Sequence, residues 1–317
     1  MARTFEQFVR FTTDAAGLER TLRLIQSITQ ILSSYPLPFH YLLALQSLVG
    51  DSVPNAQTTQ SVLAALRARL GLARRYFRMF KFLESFHAAQ GLYASLLSSS
   101  SPSSSSSSGP DRSGTEKGKG KESRGSGGNL DVWLDILART FNGMYLLLET
   151  STTVDALGID HLEIWGREME GAVNVEAQRF WLLALVCAAL AGVVRIWGAV
   201  SSSSSSVSSS QAGRLELDTK ATGKSDEEGV NGAKGKGKGN GEEKEREKEK
   251  NETRTKIISL SRGVVANTLD IALPGTVVGW VPVSAGIVGL AMFATTLLTG
   301  FEVWERCGRE VGAGSRK

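Results

Sequence analysis

Apolar positions along the chain fall into blocks, separated by two long stretches that hold almost none. In Thr4–Ser33, Phe5, Phe8 and Thr12, then Leu18, Leu22 and Ile25, recur at three- and four-residue steps, the spacing of one helix face. Thr4 with Gln7 predicts a capping box at the start of this helix, and Pro36 and Pro38 predict its end. A second apolar block, Phe39–Val49, is followed by Gly50–Thr59, whose Gly, Asp, Pro and Asn read as a loop. From about Thr59 to Leu97 there is no proline, and the pattern predicts one long helix interrupted only by Gly71 and Gly91. Leu130–Thr150 is again helical in period, with Trp133, Ile136, Leu137, Phe141, Tyr145 and Leu148 on one side. Asp131 and Asp135 lie in its first turns, where the helix dipole favours them.

Two blocks are apolar enough to meet a bilayer. Phe180–Val194 carries no charge between Arg179 and Arg195. It is short for a span, although a snorkelling Arg195 extends it to Val200; a buried or interfacial helix stays open. Ile271–Phe301 holds 31 residues without a charged side chain, enough to cross a hydrocarbon core of about 30 Å as one helix kinked at Pro282. Trp280 and Trp304 sit near its ends as interface anchors do. Gly275 with Gly279, and Ala285 with Gly289, put small residues on one face and are candidates for close helix packing, including dimerisation.

The two apolar-poor stretches, Ser98–Gly128 and Ser201–Lys256, are mostly Ser, Gly, Lys and Glu, and cannot bury enough surface to offset their ordering entropy. They predict disorder, with GEEKEREKEK either a solvated polyampholyte or a short charged helix. The expected organisation is an amphipathic helical region (1–97), a Ser/Gly/Lys linker (98–129), and a helical region with the first apolar segment (130–200). A charged linker (201–256) and a C-terminal transmembrane helix with a short tail (257–317) complete it. The fold class is all-α: a membrane-associated bundle with amphipathic helices, one or two transmembrane helices and two disordered insertions.

The net charge of +4 is small, so basic charge matters only where it is concentrated. Ala73–Phe86, ARRYFRMFKFLESF, holds the densest cluster. On a helical projection Arg67, Arg74, Arg75, Arg78 and Lys81 share one arc. Leu66, Leu70, Phe77, Phe80 and Leu83 occupy the opposite side, while Phe82 and Arg69 break the pattern. Nucleic-acid binding would need rings and cations on one surface, and here they segregate. Two readings stand. One is a core helix with a basic outer face. The other is a membrane-surface helix with cations on anionic headgroups and rings in the acyl boundary.

Candidate chemistry of a catalytic kind is absent: no G-x-S-x-G, P-loop, H-E-x-x-H or C-x-x-C occurs. The KGKGK runs at Lys117–Lys121 and Lys234–Lys238 lie in low-complexity sequence and read as flexible linker. His40, His87 and His161 are scattered, and Cys187 and Cys307 make no disulfide framework, so neither a metal nor another cofactor is expected. The N-terminus lacks the apolar run of a signal peptide, which makes the sequon at Asn251 a chance match.

Leu66–Phe86 resembles the amphipathic helix of the peroxin-eleven family, the peroxisomal membrane proteins that elongate and proliferate peroxisomes. FVRFTTDAAGLERTLRLIQ is similar to that family's opening, WLDILARTFNGMYLLLETSTTVDALGI to its middle helix, and RFWLLALVCAALAGVVRI to its next apolar segment. The two Ser/Gly/Lys insertions depart from the simplest family pattern, and the resemblance is to a fungal-type member. The resemblance implies a non-enzymatic protein integral to the peroxisomal membrane. Its amphipathic helix inserts into one leaflet and bends it, and tubulation leads to fission by a dynamin-related GTPase and its adaptor. Headgroup contact falls by this resemblance on Arg67, Arg74, Arg75, Arg78 and Lys81, and insertion on Leu70, Phe77, Phe80 and Leu83. It further implies an anionic phospholipid partner, homo- or hetero-oligomers with family members, and delivery by a peroxisomal membrane protein import receptor. Both termini are then cytosolic, with the 201–256 linker inside the organelle if both apolar segments cross. A metabolite channel and a membrane scaffold for the fission machinery are the alternatives.

Overall fold

The computed structural model describes residues 2–49, 55–100, 129–158, 161–218 and 239–314, and every regular element among them is an α-helix. The expected first helix is divided at Asp14 into α1 (Ala2–Thr13) and α2 (Ala15–Ser34). The Asp14 carboxylate accepts the Gly17 N–H and so caps α2. Thr4 lies inside α1 and caps nothing, and the Gln7 amide donates instead to the Trp304 carbonyl at 2.8 Å. α2 stops before the two prolines as expected. Pro36 takes the first position of α3 (Pro36–Val49), where its missing N–H breaks no helical bond.

Residues 50–54 of the expected loop lie outside the described residues, and Asn55 caps α4 (Ala56–Arg78) by accepting the Gln57 N–H. The single helix expected over Thr59–Leu97 is broken at Met79 and Phe80, and α5 (Lys81–Ser100) continues from there. The Thr150 hydroxyl donates to the Met79 carbonyl at 2.9 Å, occupying an acceptor that an unbroken helix would use internally. The Leu83 N–H turns to the Phe80 carbonyl instead.

α6 (Leu130–Ala156) and α7 (Gly166–Asp218) form an antiparallel pair, tied at one end by Arg195 to Asp131 and Asp135. At the other end the Asp155 carboxylate accepts the Ile164 and Trp165 N–H groups, holding the chain between the helices. α7 runs on through Ser201–Asp218, and α8 (Gly239–Asp270) begins inside the stretch expected to be disordered. Extending an existing helix costs little compared with nucleating one, and the Glu, Lys and Arg of GEEKEREKEK are good helix formers. Of the predicted disorder, residues 101–128 and 219–238 lie outside the described residues.

The unbroken span expected over Ile271–Phe301 is also corrected. α9 (Ala272–Val278) ends on Gly279 with φ of +83°, a left-handed cap that glycine adopts without strain, and α10 starts only at Ala285 and runs to Gly314. Pro282 lies in the break and bars a continuous helix.

The helices close on one another: α2 packs on α4 and α10, α4 on α6, α6 on α7, α7 on α8, and α8 on α10. Val264 lies against Gly192, and Leu182 against Gly275, so α8–α9 runs antiparallel to α7. The Arg262 guanidinium lies 5.4 Å from the Phe301 ring centroid, and Arg23 bridges Asp270 and Thr295, so α10 runs antiparallel to α8. α7 and α10 therefore point the same way.

In α2 and in one stretch of α10, burial runs opposite to that of a water-soluble bundle. α2 buries Glu19, Arg23, Ser27, Thr29 and Gln30 and exposes Ile25 and Ile28; α10 buries Thr295 and Thr296 and exposes Leu290, Leu297 and Phe301. Among the described residues a compact apolar core forms around Tyr145, Leu146 and Ala177, with Trp181 stacked on Tyr145 at 5.2 Å. Polar groups inside and aliphatic groups outside suit a lipid surround. Glu168–Ser201 and Ala285–Ala313 are each long and apolar enough to cross a membrane. Trp133 and Trp197 lie at the end of the α6–α7 pair that Arg195 ties to Asp131 and Asp135.

The amphipathic helix and its buried arginines

On α4, Arg74 and Arg78 are turned into the bundle, whereas Tyr76 and Phe77 are exposed. Arg74 is buried. Its Nη2 donates to Glu19 Oε1 at 3.1 Å and its Nη1 to Gln26 Oε1 at 2.7 Å. Arg78 Nη2 donates to Glu149 Oε1 at 2.8 Å, and the same oxygen accepts the Tyr145 hydroxyl at 2.8 Å. Arg75 Nε stands 4.0 Å from Glu149, at the limit of an ion pair. Arg20 lies 3.7 Å from Glu19, and Arg23 pairs with Asp270 and donates to the Thr295 hydroxyl at 3.1 Å. A string of ion pairs thus links α8, α2, α4 and α6 through the bundle.

Each charge in this string is set by its neighbours. Burial works against the Glu19 carboxylate, yet Arg20, Arg74 and Arg78 outweigh it and hold the group down at about 2. Burial also pulls Arg74 down to about 10, helped by Arg78 and opposed by Glu19. Tyr145 is pushed up by burial and by Glu149, so its hydroxyl stays a donor.

The expected contact residues therefore divide. Phe77, Phe80 and Leu83 are exposed, Phe80 at 71%, and Leu70 is half-buried. Arg67 is exposed and Lys81 half-buried, whereas Arg74 and Arg78 are engaged inside the bundle. The small residues are used within the chain. A Cβ at Gly289 would lie 3.2 Å from Gln30 and Ile31 of α2, the Ala285 carbonyl accepts from Gln30 at 2.7 Å, and Gly275 abuts Val281.

Sequence reasoning missed Glu19, Arg23, Glu149 and Asp270. The available signal was the spacing Glu19–Arg23–Ser27, a polar face at four-residue steps alongside Ile25 and Ile28, which in a membrane chain marks the inward side. Among the described residues no group of three or more His, Cys, Asp or Glu is placed to hold a metal ion, and Cys187 and Cys307 are free thiols.

The chain matches no curated protein and no solved structure. Residues 123–304, more than half of its length, match the sequence profile of Peroxisomal biogenesis factor 11 (PEX11). The match takes in α6 to the greater part of α10 and begins beyond Leu66–Phe86, the segment that carries the sequence resemblance most strongly. Two helices able to cross a bilayer, a polar interior and this profile agree, and the chain belongs to the PEX11 family, non-catalytic integral proteins of the peroxisomal membrane.

Proposed function

We propose that this protein elongates the peroxisomal membrane, with α4 and α5 as the wedge. One observation carries the reading: Tyr76, Phe77, Phe80 and Leu83 stand exposed on one side of these helices, while the arginines beside them are bound inward. Phe77, Phe80 and Leu83, with Leu70, enter the acyl boundary of one leaflet, and Arg67 and Lys81 take headgroups. Arg74, Arg75 and Arg78 reach headgroups only when α4 separates from α2 and α6, so the ion pairs with Glu19 and Glu149 limit the depth of the wedge. Elongated membrane then serves a dynamin-related GTPase and its adaptor. Association between copies, and delivery by an import receptor for peroxisomal membrane proteins, complete the family's scheme.

The test uses full-length protein reconstituted into giant vesicles containing anionic phospholipid. Tubules are expected with the native protein and not with a Phe77→Ser, Phe80→Ser, Leu83→Ser variant that keeps its helical content. Equal tubulation by both overturns the proposal.

A second reading has its own support. In the interior, Arg20, Arg23, Arg74, Arg75 and Arg78 outnumber Glu19, Glu149 and Asp270, and the Nε of Arg20, Arg23 and Arg78 has no hydrogen-bond partner. Such an interior suits passage of small anions. Anion-selective conductance in planar bilayers that weakens in an Arg20→Gln variant supports it; silent bilayers exclude it.

A further inference from the structure

A cavity of about 610 Å³ lies between α2, α4, the end of α6 and the start of α7. Arg67, Arg69 and Arg75 of α4 line it, with Gln26 of α2 and Glu170 of α7; Gly71 lies on its α4 wall. Among the described residues, Arg67 and Arg69 make no ion pair or hydrogen bond. Arg75 meets only Glu149, whose Oε1 already accepts from both Arg78 and Tyr145. The fifth group is pre-set. Arg74 donates to Gln26 Oε1, which leaves the Gln26 amide nitrogen directed at Gly71, where a Cβ would meet it at 3.4 Å. The small wall at Gly71 keeps the space beside those N–H groups open.

Three guanidinium groups against the single Glu170 carboxylate leave the cavity with about two positive charges to neutralise. A phosphodiester brings one negative charge, but a phosphomonoester brings about two near neutral pH, and guanidinium forks match its oxygens two at a time. The depth of the cavity identifies the source. Glu170 lies near the start of the Glu168–Ser201 span, on the charged side of the apolar run that begins at Phe180, the end at which a span meets lipid headgroups. We infer that this cavity binds the phosphomonoester of a lipid headgroup, such as phosphatidic acid. The inference deepens the membrane-contact reading of α4 by naming its headgroup class.

Full-length protein in neutral detergent is titrated with short-chain phosphatidic acid, short-chain phosphatidylserine and glycerol 3-phosphate. Phosphatidic acid is expected to bind about tenfold tighter than phosphatidylserine, and the preference to fade below about pH 6 as the dianionic monoester takes up a proton and becomes a monoanion. An Arg67→Gln, Arg69→Gln variant, altered only at exposed and unpaired positions, should lose the preference while unfolding at the native temperature. Arg75→Lys keeps the charge and should reduce the preference without abolishing it. Equal binding of the two lipids, or a preference that survives in the double variant, overturns the site. Glycerol 3-phosphate binding as tightly as the lipid overturns the headgroup assignment in favour of a soluble phosphate. Selective binding with no tubulation would sink the wedge and leave this site standing, and tubulation without selectivity would do the reverse.

Discussion

Arg74 and Glu19 face each other across the contact between α4 and α2, with Nη2 3.1 Å from Oε1 and both side chains buried. The amphipathic helix is therefore fastened to the protein by its charged face, the face a membrane-surface helix normally gives to headgroups. Removing one partner leaves a buried charge alone. Arg74→Ala or Glu19→Ala should each cost about 3–5 kcal/mol, while the double change Arg74→Met, Glu19→Leu should recover most of it. A double-mutant cycle on unfolding in detergent measures this coupling.

The same pair gives the protein an acid limit. The Glu19 carboxyl is lowered from 4.5 to about 2 on folding, so its contribution is complete above pH 4.5 and lost as pH falls through about 2. The unfolding temperature should drop across that window, and a Glu19→Gln variant, less stable at neutral pH, should show a shallower slope there.

Glycines should separate by what stands opposite them. A side chain at Gly289 meets Gln30 and Ile31, so Gly289→Leu should destabilise the α2–α10 contact by about 1–3 kcal/mol. Nothing lies within 4 Å of a Cβ at Gly91, and Gly91→Ala in the middle of α5 should stabilise by about 0.5–1 kcal/mol. Thermal unfolding of the two variants distinguishes packing from helix propensity.

The shared direction of α7 and α10 bears on sidedness. If Glu168–Ser201 and Ala285–Ala313 both cross, they end on the same face, and α8–α9 makes the return between them. Arg10 meets Glu310, which brings the N-terminus to that face too. With the termini on the outer face, as the family resemblance implies, a tag placed within 219–238 should be cut by external protease together with tags at both termini. Protection of the internal tag alone would show that α8–α9 does not cross.

The helices were readable because their apolar period is strong: Leu130–Thr150 became α6, and Pro36 ended α2 where it stands. The breaks were harder to read. Asp14 looks like one polar residue on a helix, and its role as a cap depends on a local bond to Gly17. The interruption at Met79 depends on Thr150, far along the chain. At the candidate site the sequence pointed to Arg74, Arg78 and Phe77 of α4, but not to the direction in which each of them is turned. That direction depends on where Glu19 and Glu149 lie, and no pattern within α4 records its partners.

Asp270 lies just before α9, and its countercharge comes from Arg23, almost the whole chain away. Nothing nearer in sequence neutralises it in this fold. Neutralising that acid when the last hairpin enters lipid therefore requires the helix that is synthesised first. Loss of the opening segment should be felt at the far end of the chain, as an acid left without its countercharge.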